Sequence, residues 1–108
     1  MFIVKSKYLV PKNFLAITIF PFIIVKETSN VDDKILINHE TIHLKQQKEL
    51  LFVLFFIWYG LEFCILFLKY RNFKIAYRNI VFEKEAYANE KSLSYAKTRK
   101  YFGFLEYY

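Results

Sequence analysis

An α+β fold follows from three features of the 108-residue sequence. β-Branched residues dominate two stretches near the N terminus, a helical face carrying both histidines comes next, and a Glu-, Lys- and Ala-rich helical segment follows a long apolar run. The expected architecture is a small N-terminal antiparallel β-hairpin or sheet, a helix bearing H-E-x-x-H, an apolar helical hairpin and a C-terminal glutamate helix. At 108 residues these elements make one domain, 1–108, with the hairpin inserted between the two glutamate- and histidine-bearing helices.

Composition narrows the class. With 56% hydrophobic residues and two Gly and two Pro, the chain is neither disordered nor fibrous. Its one cysteine, Cys64, excludes an internal disulfide framework and a cysteine-based zinc knuckle. A net charge of +6 suits nucleic acid or an anionic membrane face. The lysines are dispersed and no nucleic-acid motif accompanies them, which argues against a nucleic-acid partner.

Residues 2–10 and 17–25 read as two strands joined at Pro11-Lys12-Asn13. Pro21 has no N–H for a ladder, so the second strand belongs at a sheet edge or carries a bulge, and an edge strand can take an extended peptide. No small-residue cleavage site follows the apolar residues 14–20, so they do not read as an export signal. Thr28, Ser29 and Asn30 are helix-capping types, placing a helix start at 31–33 with Asp32 and Asp33 in its first turn. Leu36, His39, His43 and Gln47, spaced by three, four and four, share one face of that helix.

Residues 50–68 hold a single charge, Glu62, and are long enough for a membrane span; the competing reading is a buried helical hairpin bent at Gly60. Trp58, Tyr59, Lys48, Lys69 and Arg71 resemble interfacial anchors. Tyr70–Val81 reads as a connector or short strand, and a last helix is expected over 80–99. The aromatic tail, 101–108, is expected to pack into the core or a dimer contact in preference to folding over the site.

The strongest chemical signal is His39-Glu40-Thr41-Ile42-His43. Histidines four apart lie one helical turn apart and can reach one zinc ion, while the intervening glutamate sits beside the metal's water. With no third histidine in the chain, a further protein ligand has to be a carboxylate. Glu83, Glu85 and Glu90 are the downstream candidates. Glu83, Tyr87 and Glu90 share a face from which Glu85 points away, so Glu83 is favoured over Glu85, and Ala86 lets the two helices approach closely. If both ligand sets meet at one ion, the chain has to return from the apolar run. A straight 19-residue helix would carry it roughly 28 Å away, so two short helices, 50–59 and 61–69, folded at Gly60 are expected.

H-E-x-x-H followed by a separate helix with Glu83-Lys84-Glu85-Ala86 resembles the gluzincin metallopeptidases. The small size and two N-terminal strands look most like the minigluzincins, minimal versions of the catalytic domains of membrane peptidases such as HtpX and the CAAX-prenyl endopeptidases. The resemblance implies zinc as cofactor, His39, His43 and Glu83 as ligands, Glu40 as general base and a peptide or protein substrate. It departs at Tyr87, where many gluzincins have an aspartate that orients a ligating histidine; Asn38, Asn79 or Tyr87 itself then has to supply that contact. Tyr77, Arg78 and Tyr87 flank the glutamate helix and are candidates for stabilising an oxyanion. Membrane association on the cytoplasmic side of the inner or cytoplasmic membrane, or a cytoplasmic location, is expected from the basic residues around the apolar run. The alternative reading is a small non-catalytic membrane protein or subunit with a structural or degenerate zinc site.

Overall fold

The fold, a computed structural model that describes residues 2–108, is α+β, with a three-stranded mixed sheet followed by five helices. The strands are β1 (Phe2–Lys5), β2 (Ala16–Ile19) and β3 (Phe22–Val25), in the order β1-β3-β2. β2 and β3 form an antiparallel hairpin in which Ile17 faces Ile24, while β1 runs parallel to β3. The stretch expected as one strand over 17–25 is therefore two, because Pro21, which has no N–H, sits at the turn between them. The expected pairing of the first stretch with the second is parallel, and strand structure in the first stretch ends at Lys5.

A 3-10 turn over Thr28–Asp32 leads into α1 (Lys34–Glu49). Asp33 lies just before the helix and not in its first turn: its Oδ1 accepts the Leu36 N–H at 3.1 Å and caps the helix. α1 buries a mostly polar face, Asn38, His39, Glu40, His43, Gln46 and Gln47, with Ile42 and Leu44 among them. Its two apolar contacts differ. Leu44 packs with Ala16, Ile23 and Val25 of the sheet, and Ile42 packs with Ala86 and Ala96.

The apolar run forms one continuous helix, α2 (Val53–Tyr70), where a hairpin at Gly60 was expected. Gly60 carries no positive φ, and one interior glycine costs only about 0.5–1 kcal/mol relative to alanine, too little to break an 18-residue helix. The turn falls earlier, at Leu51 and Phe52, both at positive φ (54° and 68°). α2 spans about 27 Å. It carries the chain away from the site, and the return is made by the next helix and not by a bend within the run. α3 (Phe73–Asn79), a helix where a connector or strand was expected, folds back so that the Phe73 ring meets Phe63 with centroids 5.3 Å apart. α4 (Val81–Asn89) then starts beside the middle of α2, with the Val81 N–H donating to Glu62 Oε1. Glu62 thus caps α4 from a neighbouring helix, and its second oxygen accepts from Trp58 Nε1 (3.2 Å) and the Tyr108 hydroxyl.

The last helix is shorter than expected. α4 ends at Asn89, and after a break α5 (Tyr95–Thr98) turns back. That turn lets Arg99 clamp Glu85 with Nε at 2.7 Å and Nη2 at 2.9 Å, while its Nη1 reaches Glu49 at 2.8 Å. The tail reaches the core through one ring: Phe104 is fully buried against Phe82 and Trp58, while Tyr101, Leu105 and Tyr108 are exposed and Glu106 lies exposed beside Lys100.

A continuous α2 makes a direct prediction. A Cβ at Gly60 would meet nothing within 4 Å. Gly60→Ala should therefore raise stability by about 0.5–1 kcal/mol in denaturant unfolding. A chain bent back at Gly60 would lose stability instead.

Candidate metal centre

α1 supplies three residues of the centre and its periodicity aims them together. His39, Glu40 and His43 are all buried, and their ligand atoms lie within 4.8 Å of one another, so the group could hold a metal ion. α4 packs against α1 through Ile42 and the fully buried Ala86, and this close approach brings in Glu83. Its Oε1 lies 3.1 Å from His39 Nε2 and 3.2 Å from His43 Nε2. That oxygen is therefore close enough to both imidazoles to share a metal ion with them.

The outer ring nitrogens fix the tautomers. His43 Nδ1 lies 2.7 Å from Gln46 Oε1. The amide orientation of Gln46 is set because its Nε2 donates to Phe82 O (3.1 Å) and Glu85 Oε1 (2.8 Å). Only an oxygen can then face His43, so Nδ1 carries a hydrogen and Nε2 keeps its lone pair in the neutral ring. His39 Nδ1 is held the same way by Glu90 Oε1 at 2.8 Å. Glu83 is held from its other side, where the Tyr59 hydroxyl donates to Oε2 at 2.7 Å. Three acceptor atoms thus converge on one point, an arrangement that needs a cation or a proton between them. Burial alone would push the His43 imidazolium down, but the Glu83 carboxylate, helped by Glu40, outweighs it and lifts the group to about 9.

The two glutamates are driven in opposite directions. Burial raises Glu40 above the usual carboxylate range, against the pull of both histidines and of the Thr18 hydroxyl that donates to its Oε1 at 2.8 Å. Burial also acts to raise Glu83, but the charge of His43 and the closeness of both imidazoles overcome it and hold Glu83 well below that range. Two carboxylates in one pocket are thus pushed apart in basicity by their surroundings.

The cleft has two lobes that meet at Phe14, Ala16, Glu40, Phe73 and Tyr77. One, about 310 Å³, contains His43 and Glu83 and is walled by aromatic side chains of α2 and α3 such as Phe55, Phe63 and Phe73. The other, about 630 Å³, contains His39 and Glu90 and is more polar. Of the stretch 17–25 expected at a sheet edge, β2 is an edge and β3 is the central strand; Gln47 occupies part of the β2 edge, donating to Thr18 O and accepting from Phe20 N, both at 2.7 Å. The alternation of the antiparallel pair leaves the N–H and C=O of Ala16 and the N–H of Thr18 directed outward.

His39, Glu40, His43 and Glu83 are brought together, whereas Glu85 is buried in the Arg99 clamp. Tyr77 lines both lobes, and Tyr87 and Arg78 line only the polar one. The expected orienting residues behave differently. Asn38 donates to the carbonyls of Asn89, Glu90 and Ser92, Asn79 bonds locally to Ile75 O, and Tyr87 offers its ring to His39 at 4.5 Å. Gln46 and Glu90 hold the imidazoles instead. Glu90 is two turns from Glu83 on the same face, a spacing visible in the sequence, and Gln46 is one turn from His43; Thr18 and Tyr59 carry no local signal. Tyr59 and Trp58 are half-buried, with their polar ends bonded to Glu83 and to Tyr108 respectively.

Compared with protein-family models, with curated proteins and with solved structures, the chain matches none of them.

Loss of the contact to His39 should be measurable. Glu90→Ala is expected to weaken divalent-metal binding by about 10–100-fold, and His43→Ala to abolish it, in competition with a chromogenic chelator. Equal affinity for wild type and Glu90→Ala would show that Glu90 does not orient the site.

Proposed function

We propose that the protein is a zinc-dependent metallopeptidase that works at a membrane surface. The observation that carries the reading is the approach of both H-E-x-x-H Nε2 atoms to one Glu83 oxygen, with Glu40 beside them on the wall of a cleft. His39, His43 and Glu83 would hold the ion, leaving an open fourth position. A zinc ion bound there supplies Lewis-acid polarisation of water and of a peptide carbonyl.

The protein's own groups do the rest. A peptide extended along Ala16–Thr18 would be held by the outward N–H and C=O groups of that edge, which places its backbone beside Glu40. Glu40, raised by burial, takes a proton from water and delivers it to the departing amine. The Thr18 hydroxyl keeps the Glu40 carboxylate turned to the cleft. Tyr77, facing both lobes, is the donor best placed for a developing oxyanion. Tyr59 is committed to Glu83 and acts by fixing that ligand.

The membrane part rests on α2. Phe55 alone is buried among its 18 residues, and Leu61, Ile65 and Leu68 are 61%, 66% and 66% exposed on its outer face. Water is a poor neighbour for such a stripe. Lys74 and Arg78 on the packed-back α3 disfavour full insertion, so α2 would lie in the headgroup boundary of a cytoplasmic membrane leaflet, with Lys69 and Arg71 at its end.

Glu40→Gln should lose peptide hydrolysis by at least about 100-fold and still hold zinc at wild-type stoichiometry. Zinc binding by a protein that cleaves no peptide would instead favour the non-catalytic membrane subunit, and absence of stoichiometric zinc would overturn both readings. In flotation with anionic vesicles, Ile65→Glu together with Leu68→Glu should release the protein to the soluble fraction with its metal content intact. Unchanged flotation would remove α2 as the membrane contact.

A further inference from the structure

We propose that Arg78, supported by Lys74, is a recognition site for a substrate carboxylate, so that the peptidase selects peptides with an acidic group two or three residues from the cleaved bond. This rests on the peptidase reading and adds a substrate class to it. Both cations line the polar lobe that contains His39 and Glu90. The acids facing that lobe are already engaged: Asp33 accepts from Leu36 N, Glu40 from Thr18 and Glu90 from His39. Neither Arg78 nor Lys74 has an ion pair or hydrogen-bonded acceptor among the described residues.

Arg78 is nevertheless held in place. Its guanidinium lies over the Tyr87 ring at 3.6 Å, and that ring meets His39 with centroids 4.5 Å apart. Stacking removes part of the rotamer freedom of the side chain while leaving its in-plane N–H donors open, the geometry that suits a two-point contact with a carboxylate. The two ring contacts put the guanidinium within about two to three residues of extended chain from the His39 imidazole. A peptide bound along β2 with its scissile bond at Glu40 therefore has a residue in reach of Arg78. The acceptor is a carboxylate, from an Asp or Glu side chain or from a free C terminus. The aromatic lobe on the other side of Glu40 offers no such cation.

The test uses the full chain loaded with zinc and a neutral, end-blocked reference peptide. Variants of that peptide carry Glu in place of Gln at each position within three residues of the cleaved bond, or end there in a free carboxylate. At one position the acidic form should lower KM by about tenfold with kcat little changed. Preference for the Glu peptides assigns a side-chain source; preference for the shortened peptides assigns the chain terminus. In Arg78→Gln the acidic-to-neutral ratio of kcat/KM should fall to about twofold or less, and Arg78→Lys should keep an intermediate ratio. No preference in the wild type, or a preference that survives Arg78→Gln, overturns the proposal while leaving the peptidase reading intact. If the reference peptide is not cleaved at all, the peptidase reading fails. Fluorescence anisotropy of the labelled Glu and Gln peptides on the same zinc-loaded proteins then decides the carboxylate site, which stands only if binding favours the Glu form and loses that preference in Arg78→Gln.

Discussion

The inward face of α1 is polar, and the rest of the chain is arranged to satisfy it. Asn38, His39, Glu40, His43, Gln46 and Gln47 are all buried there, and each would cost about 1–3 kcal/mol or more if left without a partner. Gln47 is satisfied by β2, Glu40 by Thr18, Gln46 by α4, and Asn38 by the carbonyls that end α4. A helix that buries so little apolar surface cannot be held by the hydrophobic effect alone. Its position is set by hydrogen bonds, which are directional, and that is why the two imidazoles are fixed in orientation as well as in place.

What the sequence disclosed was local. The four-residue spacing of His39 and His43 and the helical angle separating Glu83 from Glu85 are properties of a single helix, and both are seen in the structure. What it concealed depended on which distant groups meet. The hairpin expected at Gly60 came from assuming that the chain meets the site only after leaving the apolar run. In fact α2 meets it early, through Phe55 and Tyr59, so its far end is free to project. The break after Asn89 has a similar origin. Helix propensity favours continuing to Arg99, but the buried Glu85 needs a cation, and only a reversal of the chain brings Arg99 to it. Tertiary pairing overrode propensity there.

The buried polar residues form a continuous chain outward from the centre. His43 leans on Gln46, Gln46 on Glu85, Glu85 on Arg99, and Arg99 on Glu49 near the other end of α1. Gly103 lies against this chain so closely that a Cβ would come within 2.9 Å of Glu85 Oε2. The orientation of one imidazole thus depends on the tail as well as on its own helix. In a chain of this length no layer separates the site from the fold's structural core, and residues that look remote in sequence share the task of holding the ring.

The same economy bears on α2. Judged by composition it is an anchor, the kind of segment that could be cut away to leave a soluble catalytic unit. Its inner side says otherwise, since Tyr59 steadies Glu83 and Glu62 receives the first N–H of α4, the helix that bears Glu83. α2 and the centre are therefore not separate modules. A version of the protein without residues 53–70 would be missing two supports of its glutamate helix, and solubility obtained in that way would come with a dismantled site.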